Sequence, residues 1–268
     1  MASTARRPAT AWGQRLALAI CAAVLAGLPV TATAGGDLER LVAAYPAFLE
    51  RIEGNMLVWK DGTRMPIDDG KPAKAFEALL DQPDIKDMFR WPYPTGAEAT
   101  PPAFQVDPGR IRHQALFDKM YGDCTKGQTT AKLVEVVWLP KKSGQKLLVT
   151  QVNGVAEKLA AVSKVLDELP ARFDSFLFPS AGTYVCRKIA GTDRPSVHGA
   201  GIAIDIALKH AHYWRWTKPG ADGRYPFKNS MPPEIVTAFE AQGFIWGGRW
   251  YHYDTMHFEY RPELIGAR

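Results

Sequence analysis

Ser196-Val197-His198-Gly199-Ala200-Gly201-Ile202-Ala203-Ile204-Asp205-Ile206 runs from a loop into strict alternation, the period of a strand whose side chains point to opposite faces. Ile202, Ile204 and Ile206 share one face; Gly201, Ala203 and Asp205 share the other. A carboxylate therefore stands on a face cleared of bulk, and a half-buried carboxylate is costly unless a cation or a donor meets it. Asp254-Thr255-Met256-His257-Phe258-Glu259-Tyr260 repeats the arrangement, with Met256, Phe258 and Tyr260 on one side and His257 and Glu259 on the other. If the two strands are neighbours, Asp205 and His257 converge on one side and the loop residue His198 reaches the point between them. Two imidazoles and one carboxylate suit zinc, and three protein ligands leave the fourth tetrahedral position open, the pattern of a catalytic rather than a structural site.

Around this pair of segments the chain reads as a mixture of strands and helices. Val134 to Leu139 and Lys146 to Val152 suit strands joined by a hairpin through Lys141-Lys142-Ser143-Gly144. Asn153 is placed to cap a helix whose apolar positions Val155, Leu159, Val162, Leu166 and Leu169 keep the 3.6-residue period until Pro170. Another helix is expected from Pro232-Pro233 to Gly243. Residues 37 to about 130 look irregular: a helical period through Leu38, Leu41, Tyr45 and Leu49 gives way to Gly, Pro and Asp, implying short helices and long loops. Gly122 to Thr129 has Walker-like glycine spacing, but Gln128 stands where a lysine is needed, so the stretch reads as a loop.

The first residues point to a compartment. Arg6, Arg7 and Arg15 precede an apolar run from Leu16 to Leu28, followed by the small residues Ala32-Thr33-Ala34, the organisation of a cleaved secretory signal peptide over residues 1–34. The run is about 13 residues long, short of the roughly 20 that span a bilayer, so no stable membrane insertion is expected after processing. Removing the leader takes away three arginines and no acids, which lowers the formal charge from +5, and a nucleic-acid partner is not implied. Cys124 and Cys186 remain. In an oxidising compartment an even pair suggests a disulfide, with two buried thiols as the alternative.

Ser-x-His-x-x-Gly-x-Ala-x-Asp, followed about fifty residues on by Asp-x-x-His, resembles the D-Ala-D-Ala carboxypeptidase and L-Ala-D-Glu endopeptidase family. That family shares its fold with the dipeptidases of vancomycin resistance and the hedgehog signalling domain. The likeness extends from about Leu147 to Leu264 and includes Gly243-Phe244-Ile245-Trp246-Gly247-Gly248 and Met256-His257-Phe258-Glu259. It implies an α+β domain over residues 131–268, with a small, mainly antiparallel sheet flanked by helices and carrying one Zn2+ ion. Residues 35–130 are left as an extension the family does not account for. It further implies His198, Asp205 and His257 as metal ligands, Asp254 as general base and Arg187 as the cation facing the scissile carbonyl. The dipeptidases have glutamate where Asp254 stands, and aspartate is more like the endopeptidase branch. The expected substrate is the peptidoglycan stem peptide, met in the periplasm or outside the cell.

Each assignment has a plainer alternative. Asp254 can be a strand-entry residue and Arg187 a salt-bridge partner, while Glu259 suits an acceptor for an imidazole N–H. His210, His212 and His252 are further metal-ligand types, although His210 and His212 sit with Tyr213, Trp214 and Trp216 in what reads as an aromatic cleft wall. Tyr184, Ser196, Trp246, Trp250 and Tyr253 are candidates for shaping the substrate groove. A non-catalytic, zinc-containing peptidoglycan-binding module and an exported peptidase acting on other peptides are the competing functions.

Overall fold

The computed structural model describes residues 36–96 and 99–266; the leader read in residues 1–34 lies outside them. The chain begins with helix α1 (Asp37–Ala44) and three strands, β1 (Leu49–Glu53), β2 (Met56–Trp59) and β3 (Arg64–Pro66), which form an antiparallel sheet in the order β1-β2-β3. The helical period read through Leu49 fails at Pro46, because a proline disfavours helical backbone in the residue before it. Tyr45 leaves the helix at φ −127°, and Leu49 instead pairs with Trp59 across β1 and β2. The sheet itself departs from the expectation of short helices and loops. Leu57, Val58 and Trp59 are all buried, so β2 lacks the alternation by which a half-exposed strand announces itself.

Helices α2 (Phe76–Asp81) and α3 (Gln114–Tyr121) follow, joined by an irregular, proline-rich stretch. Part of that stretch lies against the C-terminal segment: the Val106 carbonyl accepts from Tyr251 N, the Pro108 carbonyl from Trp250 Nε1, and the Gly109 carbonyl from Arg261. Gly109 has φ +87°, and a Cβ there would come within 2.4 Å of Ile245 Cδ1 and 2.9 Å of Leu264 Cδ1. Only glycine admits both that backbone and that approach.

Strands β4 (Leu133–Trp138) and β5 (Gln145–Thr150) form the expected hairpin. Helix α4 (Val155–Asp167) buries Val155, Leu159, Val162 and Leu166. Asn153 is not its cap: the residue sits at φ +56°, and its amide donates to the Tyr121 hydroxyl at 3.1 Å. Then come α5 (Asp174–Leu177), β6 (Ala203–Asp205), α6 (Pro233–Glu240), β7 (Phe244–Trp246) and β8 (His257–Tyr260). The last three strands make an antiparallel sheet ordered β6-β8-β7. Helix α6 covers its apolar face, where Phe239 stacks on Phe258 with ring centroids 3.8 Å apart.

Helices alternate with small antiparallel sheets, an α+β arrangement. The division expected near residue 130 is crossed by one hydrophobic core, in which Leu41, Leu57 and Trp59 join Val162, Phe239 and Phe258. Polar links cross it as well: Tyr45 donates to Glu263 at 2.6 Å, and Tyr93 both donates to Glu240 and accepts from Trp246 N. Among the described residues no helix is long and apolar enough to cross a membrane.

Cys124 and Cys186, 62 positions apart, are joined in a disulfide. The bond ties the loop carrying Arg187 to the segment after α3. On the chain-entropy model a loop of this length stabilises the fold by about 4 kcal/mol. The double replacement of Cys124 and Cys186 by serine is expected to lower the free energy of guanidinium unfolding by that order, and an unchanged midpoint would contradict it.

Candidate metal centre

Asp205 and His257 are register partners in the antiparallel pair of β6 and β8, so their side chains stand on the same face of the sheet. His198 arrives from a single helical turn, Val197–Ala200, that ends at Gly201. Gly201 has φ +70°, a Cβ on it would lie 3.1 Å from Thr150 N, and its carbonyl accepts from that same N–H at 3.0 Å. The glycine thus lets the chain reverse against β5 and enter β6 with His198 turned back toward Asp205.

Three donor groups converge. His257 Nδ1 lies 2.9 Å from Asp205 Oδ1, His198 Nε2 lies 3.3 Å from Asp205 Oδ2, and the two ring nitrogens are 3.3 Å apart. The outer nitrogens decide the tautomers. His198 Nδ1 meets the Thr183 carbonyl, which can only accept, and His257 Nε2 meets the Glu259 carboxylate at 3.2 Å. Both outer nitrogens therefore carry the proton, and in the neutral rings the lone pairs of His198 Nε2 and His257 Nδ1 point at the Asp205 carboxylate. Two lone pairs and an anion aimed at one point repel one another unless a cation or a proton lies between them. The set suits a divalent ion, and His198, Asp205 and His257 can hold one.

Without an ion, a proton takes that place. Burial alone would strip the His257 ring of its charge, but its bonds to Asp205 and Glu259 outweigh burial and hold its pKa up at about 10. Burial likewise opposes ionisation of Asp205, yet the bonds from His198 and His257 keep it well below the usual carboxylate range. Glu259 is also buried and also held low, by the Arg112 guanidinium first and then by His257 and Arg261. Asp254 behaves differently. Burial pushes it up to about 6, and its Oδ1 is shielded with no hydrogen-bond partner among the described residues.

A cavity of about 260 Å³ opens over this cluster, with Asp254, Arg187, Ser196 and Trp250 in its lining. Tyr213, Trp214 and Trp216 form a wall of it, whereas His210 and His212 face away, bonded to the Ser175 and Ser230 hydroxyls. Tyr184, Trp246 and Tyr253 do not line it. Tyr184 stands beside Thr130, and Tyr253 donates to the Pro226 carbonyl. Trp246 pairs in register with Phe258, which puts it on the sheet face away from His257.

Residues 107–112 contribute a part of the site that the sequence reading left out. Arg110 and Arg112 line the cavity, and buried Asp107 accepts from Arg110 and from both the backbone N and the ring Nδ1 of His252, another lining residue. Nothing local signals this role, since Arg112 meets Glu259 and Asp107 meets His252, each more than a hundred residues further along the chain.

Residues 190–260 match the family model described as D-alanyl-D-alanine carboxypeptidase. The match contains His198, Asp205, Asp254 and His257, and over that stretch it bears out the resemblance carried by the sequence. Arg187 and the stretch containing Arg110 and Arg112 lie outside it.

In metal-free protein the Asp254 carboxyl is expected to titrate at about 6, above an ordinary aspartate, because burial disfavours its charge. Carbon-13 NMR of carboxyl-labelled protein, with Asp254→Asn to assign the signal, measures this; a midpoint near 4 would show that the group is not shielded.

Proposed function

We propose that the protein is an exported zinc metallopeptidase that hydrolyses peptide bonds in the stem peptides of bacterial peptidoglycan, with a hedgehog/DD-peptidase-like fold around the site. The observation that carries this reading is the convergence of His198 Nε2, Asp205 and His257 Nδ1 beneath a cavity also lined by Asp254, whose Oδ1 has no hydrogen-bond partner among the described residues. The family match over residues 190–260 supports the substrate class. The disulfide and the leader-like N-terminus support export.

His198, Asp205 and His257 would hold the zinc, which supplies Lewis-acid polarisation of water and of a peptide carbonyl. The chain's own groups do the rest. Asp254, ionised above its pKa, takes a proton from the attacking water as the oxygen bonds to the carbonyl carbon. Arg187, exposed at the cavity wall with its guanidinium bonded among the described residues to the Lys188 carbonyl alone, donates to the oxyanion that forms. When the C–N bond breaks, the proton held by Asp254 passes to the departing amine. Burial, which raises the Asp254 pKa in metal-free protein, favours the protonated carboxyl that it becomes in this step.

Asp254→Ala is expected to abolish hydrolysis of purified peptidoglycan while zinc stays bound; loss of the metal with it would make Asp254 a ligand instead. Arg187→Ala is expected to lower kcat by about 10²–10³, the usual cost of an oxyanion donor. Mass spectrometry of the released muropeptides identifies the bond cut, distinguishing loss of terminal D-Ala, opening of a D-Ala cross-link and cleavage between L-Ala and D-Glu. Intact muropeptides after incubation with zinc-loaded protein would favour a binding module.

Zinc binding is also expected to release a proton at pH 7. Metal-free His257 is protonated below about 10, and a ligand nitrogen must give that proton up. Affinity should therefore rise with pH across the neutral range. Calorimetry in buffers of different ionisation enthalpy measures the proton count, and a count of zero would contradict the role given to His257.

A further inference from the structure

Arg112 lies between α2 and α3, 147 residues before Glu259. Its guanidinium makes two bonds to the Glu259 carboxylate, Nε to Oε1 at 3.0 Å and a terminal nitrogen to Oε2. His257 Nε2 donates to that same Oε2 at 3.2 Å, and Arg261 donates to Oε1 at 3.1 Å. The Glu259 side chain has no solvent exposure. A carboxylate offers about four acceptor sites, and here all of them are taken: two by Arg112, one by His257 and one by Arg261. Side-on pairing with a planar guanidinium fixes the carboxylate's plane as well as its charge. Its plane in turn directs the bond that sets the tilt of the His257 ring.

We propose that Arg112 is a positioning residue for the metal centre: by clamping Glu259 it aims the His257 lone pair, and so sets how tightly the centre holds zinc. The proposal rests on reading His198, Asp205 and His257 as zinc ligands, and it gives the stretch before residue 130 a part in metal binding. A lone pair is directional, so freeing the acceptor behind an imidazole weakens the metal in front of it; loss of such a support typically costs 10–100-fold in affinity. Arg261 does not supply the side-on pair. It reaches only one oxygen of Glu259, through the same terminal nitrogen that donates to the Gly109 carbonyl; its Nε is held by Glu263, and its second terminal nitrogen makes no bond to Glu259. It does leave Glu259 with a cation when Arg112 is removed, which favours folding of the variants.

Zinc affinity of the full chain is measured by chelator competition, with the visible absorption of the Co2+ form as a readout of ligand geometry. Wild type is expected to bind one ion. Arg112→Gln should weaken zinc by about 10–100-fold and shift the Co2+ bands, and Arg112→Lys, which keeps the charge but not the two parallel bonds, should recover only part of the loss. Glu259→Gln should weaken zinc as well. Adding Arg112→Gln to it should cost nothing more, because the two residues act as one unit. The lysine variant carries the test if the glutamine variant does not fold. A folded Arg112 variant with wild-type affinity and spectrum overturns the proposal, as does a full additional loss in the double variant. Wild-type protein that binds no zinc overturns the ligand reading beneath it instead.

Discussion

Asp205 faces His257 because β6 and β8 run antiparallel in one particular register, and the rest of the site hangs from that pairing. A slip of one residue would turn every side chain of a strand to the opposite face, exchanging a carboxylate for an isoleucine. The register is held from behind. Ile204 pairs with Phe258, Phe258 stacks on Phe239 of α6, and Ile202, Ile204 and Ile206 are wholly buried. The apolar face of a three-stranded sheet therefore determines which groups meet on its polar face.

The polar face is a chain of matched charges. From Asp205 it passes to His257, Glu259, the Arg112 and Arg261 guanidiniums, Glu263 and finally the hydroxyl of Tyr45 just beyond α1. Charges this deep are costly to desolvate and persist only when each has partners of good geometry. Removing one member strands the next, so the chain of contacts specifies an arrangement rather than simply adding stability. Asp107 works in the same way, gathering Arg110 and His252. Residues before 130 thus supply both core packing and the outer polar shell of the site.

The alternation around Asp205 and His257, the apolar stripe of α4 and the hairpin of β4 and β5 were all legible in the sequence, because each records the burial pattern of one continuous segment. The paired cysteines and the spacing of His198, Asp205, Asp254 and His257 were legible for a different reason, as patterns of residue types with few other uses. The strands between Leu49 and Pro66 were not, since β2 is buried on both faces and carries no period of its own. Nor was the face of Trp246, which depends on its pairing with Phe258. Tertiary structure alone decided that Arg112 meets Glu259 and that Asp107 meets His252, because a charge in a proline-rich stretch looks the same in sequence whether it faces water or a partner. Local periodicity reports how a segment is buried; only the folded chain determines which distant group fills the space beside it.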